Sequence, residues 1–158
     1  MFDADLVLCD GSADWNYANL VTSNYGSPVL TTVNTGGFAV LDMLQCPYTG
    51  LAIVLAFVEA ANAVGDVLTV IAEECADYDF STSQPHELTK FDIAAAVKGE
   101  ILGSEITAAL LAAQGGAIFV VKRVSFTKRY IRIDASCTSS DDFGVVYCKA
   151  TPFPFKVV

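Results

Sequence analysis

The chain has few of the residues on which catalysis and metal binding depend. It holds one histidine and one tryptophan in 158 residues. The histidine, His86, sits in the polar run Ser83-Gln84-Pro85-His86-Glu87. Nothing there fixes a serine or cysteine beside it, so a nucleophile–base triad has no footing. Five cysteines, Cys9, Cys46, Cys75, Cys137 and Cys148, are separated by 37, 29, 62 and 11 residues. That spacing excludes the usual zinc motifs, and the odd set without Cys-x-x-Cys reads as small buried hydrophobes in a reducing compartment. There is no P-loop and no Gly-x-Gly-x-x-Gly after a strand, which leaves nucleotide binding without support.

Charge of one sign is missing from half the molecule. Residues 1–89 carry 12 Asp/Glu and no Lys or Arg, whereas residues 90–158 carry 6 acids and 9 bases, giving −9 in all. Such a chain repels nucleic acid and suits a basic protein surface. Charged residues make up 17% and hydrophobic residues 53%, against about a quarter charged in ordinary soluble domains. The apolar excess points to buried subunit contacts and hence to a homo-oligomer. The most apolar uncharged runs, 51–58 and 106–121, fall short of the roughly 20 apolar residues of a spanning helix. The N-terminus lacks the basic region of a secretory signal, so a cytosolic product is expected.

The most ordered pattern is residues 117–137, AIFVVKRVSFTKRYIRIDASC. Residues 118–123 form an apolar β-branched run. Residues 129–137 then alternate, with Ile131, Ile133 and Ala135 on one side and Tyr130, Arg132 and Asp134 on the other, the period of a half-buried strand. With the turn at 139–144 and the run 145–148, three successive strands are expected to pair as a meander.

Further strands are expected at 4–9 (ended by Asp10-Gly11-Ser12), 29–33, 38–43, 51–58, 67–73, 88–93 and 99–102. The run 51–58 should be central and form a hairpin with 67–73. Gly99 and Gly103 limit any helix to a short turn near 107–113. The spacing of strands and Gly/Pro/Asn turns predicts an all-β, single-domain, jelly-roll-like sandwich of about eight antiparallel strands over residues 1–158. An arm or loop is expected at 10–36 and an extended tail at 151–158.

The order AALLAAQGGAIFVVKRV followed by KRYIRIDASCTSSDDFGVVYCKA resembles the C-terminal half of the jelly-roll cement (decoration) proteins of short-tailed bacteriophage heads, of the Bordetella-phage type. The likeness is specific over residues 106–150. In the N-terminal half it is looser, carried by 6–10 and 66–73. The resemblance implies a non-enzymatic virion protein, made in the host cytoplasm and placed on the capsid surface. There it would stabilise contacts between subunits of the major capsid protein, without cofactor or metal. It also implies self-association, as a dimer across two-fold axes or alternatively a trimer.

Candidate interface residues are Trp15, Tyr17, Leu20 and Tyr25 in the arm and Phe153 and Phe155 in the tail, since aromatics are common interface anchors. Arg129 and Arg132 are added as partners for carboxylates of this chain or of a neighbouring subunit. The acidic run 73–79 lacks the spacing of a calcium loop and reads as a solvated edge. The cluster Lys122, Arg123, Lys128, Arg129 and Arg132, with Phe126 and Tyr130 interleaved, is the one grouping suited to nucleic acid, though pairing with the acidic surplus is favoured. The alternative function is a carbohydrate- or receptor-binding sandwich of a phage tail or head fibre, with Trp15 or Tyr25 stacking on sugar.

Overall fold

The computed structural model describes residues 7–16, 20, 40–43, 50–60, 68–80, 83–93, 108–137 and 142–152. They form eight strands and one short helix. The strands are β1 (Val7–Asn16), β2 (Val40–Asp42), β3 (Gly50–Phe57), β4 (Leu68–Cys75), β5 (His86–Ile93), β6 (Ile118–Ser125), β7 (Tyr130–Cys137) and β8 (Asp142–Pro152). The helix, α1 (Ala108–Ala113), precedes β6. Among the described residues no helix is long and apolar enough to cross a membrane.

Two four-stranded antiparallel sheets result, the first in the order β1-β8-β3-β6 and the second in the order β2-β7-β4-β5. Four of the pairings are nested: β4 with β5, β3 with β6, β2 with β7 and β1 with β8. The chain is thus one long hairpin doubled at β4–β5, whose successive rungs fall alternately in the two sheets. Pairings β3–β8 and β4–β7 complete each sheet. This is the jelly-roll arrangement of an all-β sandwich.

Strand alternation builds the core. Leu51, Ile53, Leu55 and Phe57 of β3 face Ile131 and Ile133 of β7 and Leu68, Val70 and Ala72 of β4 across one continuous apolar interior. Full burial of each large side chain is worth roughly 1.5–3 kcal/mol. Phe57 and Phe143 pack as a tilted pair with centroids 6.3 Å apart. Helix α1 lies where a short turn was expected and contributes Leu111 to this core. It stops at Gly115 and Gly116, whose positive φ angles of 76° and 96° return their N–H groups to the carbonyls of Ala112 and Leu111.

Several sequence expectations are corrected here. The runs 118–123, 129–137 and 145–148 correspond to strands, but they form no meander: β6 and β8 belong to the first sheet and β7 to the second. Likewise β4 does not pair with β3. Its neighbours are β5 and β7. Alternation reveals which side of a strand is apolar and says nothing about which strand lies beside it.

Asp10-Gly11-Ser12 does not end β1. Gly11, at φ +76°, allows a register shift against β8, and the strand continues to Asn16. A side chain at Gly11 would meet the Tyr147 ring at 2.7 Å. Residues 10–16 are therefore strand rather than arm, and Thr151 and Pro152 are the last rungs of β8 opposite Ala52 and Leu51 rather than the start of a tail. The strands expected at 29–33 and 99–102 lie outside the described residues.

Candidate interaction surface

Each sheet turns one face to the core and one outward, and the two outward faces differ. On the second sheet, the chain leaving β4 folds back over the strands. Phe80 and Cys75 pack on Val40 of β2, with Tyr78 and Tyr130 beside them. Phe80 holds a left-handed backbone, φ +57°, a conformation that disfavours a bulky residue by roughly 1–2 kcal/mol and is offset here by burial. Cys75 Sγ donates to the Ser83 carbonyl (3.4 Å) and accepts the Asp77 N–H (3.4 Å), which holds the segment down.

Polar groups on this face are matched. Arg132 of β7 lies over the Phe80 ring at 4.3 Å and donates to Glu73 Oε2 of β4 at 2.9 Å. Arg129 forms a two-pronged pair with Asp42, at 2.9 and 2.7 Å, and that carboxylate raises the guanidinium pKa further above its ordinary value. Lys90 pairs with Asp92 on β5.

The outward face of the first sheet carries no such cover among the described residues. Along β6 the outward positions are Phe119, Val121, Arg123 and Ser125. Phe119 is 64% and Val121 52% exposed, the two exposed large hydrophobics of the described chain. Ala56 of β3 has Phe119 of β6 on one side and Tyr147 of β8 on the other, and Val54 lies likewise between Val121 and Lys149.

Alternate strands stand roughly 10 Å apart, so two aromatic side chains flank a floor of methyl groups. The result is a groove of about 260 Å³ lined by Val54, Ala56, Val58, Ala117, Phe119, Tyr147 and Lys149. β6 ends its sheet, and no described strand pairs with its outer edge.

One buried carboxylate ties the two sheets together. Glu74 is 3% exposed and accepts the N–H of Thr127 (2.6 Å), the N–H of Lys128 (2.9 Å) and the hydroxyl of Thr127 (3.0 Å), all in the β6–β7 connection. His86 Nδ1 lies 3.3 Å from its other side. Burial alone would raise the Glu74 pKa, but these donors and His86 together hold it below its ordinary value of 4.5.

The interface residues singled out from sequence do not come together as one surface. Trp15 (0% exposed) and Leu20 (4%) are core residues, which corrects their assignment to an arm. Beyond the Gly11 bulge, β1 turns Trp15 inward, where its Nε1–H donates to Cys9 Sγ at 3.2 Å. Tyr17, Tyr25, Phe153 and Phe155 lie outside the described residues. Arg129 and Arg132 are held on the covered face by carboxylates of this same chain.

The acidic run 73–79 is a solvated edge only at its far end: Glu73 is paired and Glu74 buried, whereas Asp77 is half-buried and accepts the N–H of exposed Asp79. No group of His, Cys, Asp or Glu suited to a metal occurs among the described residues. The basic cluster is dispersed. Lys122 reaches the Lys90 carbonyl and the Phe91 ring, Arg123 stands on the first sheet, and Arg129 and Arg132 stand on the second.

Sequence reasoning missed Phe119 and Val121. A run apolar on both faces reads as a buried strand, and only the place of β6 at the end of its sheet makes one face bare. No protein-family model, curated protein or solved structure matches the chain, so the surface is interpreted from its own geometry.

Proposed function

We propose that this chain is a non-enzymatic structural subunit of a bacteriophage head, a cement protein that binds the outside of the shell and bridges subunits of the major capsid protein through the open face of its first sheet. The observation that supports this reading is the exposed pair Phe119 and Val121 beside the groove over Ala56. An apolar patch of this kind, carrying the exposed large hydrophobics of the described residues, supports a surface completed by a partner. The jelly roll fits the reading without selecting it, because capsid subunits, lectins and cupins share that architecture. A sugar ligand would call for several hydrogen-bonding groups around the rings, and among the described residues lining this groove only Tyr147 and Lys149 offer polar side chains.

The test is cosedimentation of the purified protein with phage heads that lack it. Wild type should travel with the heads, and the double variant Phe119→Asp/Val121→Asp should stay in the supernatant with an unchanged melting temperature. Binding unaffected by that change, or absence of the chain from purified virions, would refute the assignment.

A further inference from the structure

Cys9 of β1 and Cys148 of β8 stand directly opposite each other in the antiparallel ladder. Both are thiols outside any disulfide and buried in the main core, 1% and 0% exposed. Opposed residues in such a ladder have Cα atoms about 4.5 or 5.5 Å apart, within the roughly 4.4–6.8 Å that a disulfide spans, and they project from the same side of the sheet. Cys9 Sγ donates to the Val146 carbonyl at 3.2 Å and accepts the Trp15 indole N–H at 3.2 Å.

Burial, and then the neighbouring Cys9, push the Cys148 thiol well above its usual pKa. While the ladder is closed Cys148 therefore stays protonated and unreactive. β1 is the way in. It is an edge strand, and its ladder with β8 shifts register at three places, so its local opening is less costly than that of any central strand.

We propose that Cys9 and Cys148 are a redox-responsive pair that closes into a disulfide when β1 opens in the presence of a small-molecule disulfide, tying the edge strand to β8. The Cys9 thiolate attacks one sulfur of oxidised glutathione, which forms a mixed disulfide and releases one glutathione thiolate. The Cys148 thiolate then attacks the Cys9 sulfur, forming the internal bond and releasing the second. The two cysteine protons and two electrons pass to two molecules of reduced glutathione. The bond closes a loop of nearly the whole chain, where cross-linking constrains the unfolded state most. It also places a disulfide against the chain's single tryptophan.

The experiment incubates the full chain with oxidised glutathione and measures intact mass, non-reduced peptide linkage, melting temperature and Trp15 fluorescence. The expected result is a loss of two hydrogens without a glutathione adduct, a peptide linking Cys9 to Cys148, a higher melting temperature and quenched emission, all reversed by dithiothreitol. Cys148→Ala should instead retain one glutathione at Cys9 and show no rise in melting temperature. Unchanged mass after exhaustive exposure, stable adducts on wild-type Cys9 or Cys148, or linkage through another cysteine would overturn the proposal. The wild-type peptide map decides this even if the alanine variant fails to fold.

Discussion

Arg132 and Phe119 hold comparable places, each on an outward row of its own sheet. Yet the arginine side chain is 13% exposed and the phenylalanine 64%. Solvation alone would set these the other way round. On the second sheet the chain uses its own Phe80 and Glu73 to cover and pair the arginine. On the first sheet the described residues leave a hydrophobe, a groove and a strand edge without such cover. Among the described residues, the second face is covered and charge-matched by the chain itself. The first is the face on which an outside partner can still gain apolar burial.

The comparison can be broken most severely at Glu74, which anchors the β6–β7 connection running from the open sheet to the closed one. Glu74→Ala leaves two backbone N–H groups and a hydroxyl without their acceptor, and should cost about 2–4 kcal/mol in urea unfolding. Acid should act on the same group. Its folded pKa lies below its ordinary 4.5, so its stabilisation is fully present above that value and is lost as pH falls through the folded pKa. Unfolding followed from neutral pH down through 4.5 and below should therefore show a shallower acid loss in Glu74→Gln than in wild type, the difference developing below 4.5.

Next in size is the removal of the cover. Phe80→Ala strips the second face of its central ring and should destabilise by about 1–3 kcal/mol, less than a deep core site because only a satellite cluster is opened. It should also raise binding of a hydrophobic dye, making the closed face resemble the open one. Arg132→Ala, which leaves Glu73 partly buried without its partner, should cost about 1–2 kcal/mol.

The smallest stability change belongs to the open face. Phe119→Ser should alter unfolding free energy by no more than ~0.5 kcal/mol, while reducing dye binding and self-association by light scattering. A loss of several kcal/mol there would mean that Phe119 is part of the core and that the two faces do not differ in kind.

Much of the sandwich was legible because inward rows have a strict period of two. The rows Ile131-Ile133-Ala135 and Leu51-Ile53-Leu55-Phe57 are read directly as core. The same rule carried one step further locates Glu74, in phase with Leu68, Val70 and Ala72 and so pointing inward. Its acidic neighbours hid that phase. Pairing was not legible, since β6 and β7 are adjacent in sequence and lie in different sheets. Trp15 was misread because a glycine bulge lets β1 pass a cluster of turn residues. The open face depended on strand order, which no periodicity contains.

The nested pairing also dictates a timetable for the nascent chain. The β4–β5 hairpin can close as soon as it is made, but each rung outward joins segments farther apart, and the outermost joins Val7–Asn16 to Asp142–Pro152. At roughly 5–20 residues per second of synthesis, β1 waits about 7–27 s for its partner to be translated. High contact order of this kind makes for slow folding, and throughout the delay Leu8 and Trp15 have no finished core to enter. Folding of this chain is therefore completed only after translation of its final strand, and its aggregation risk is greatest while the ribosome is still at work.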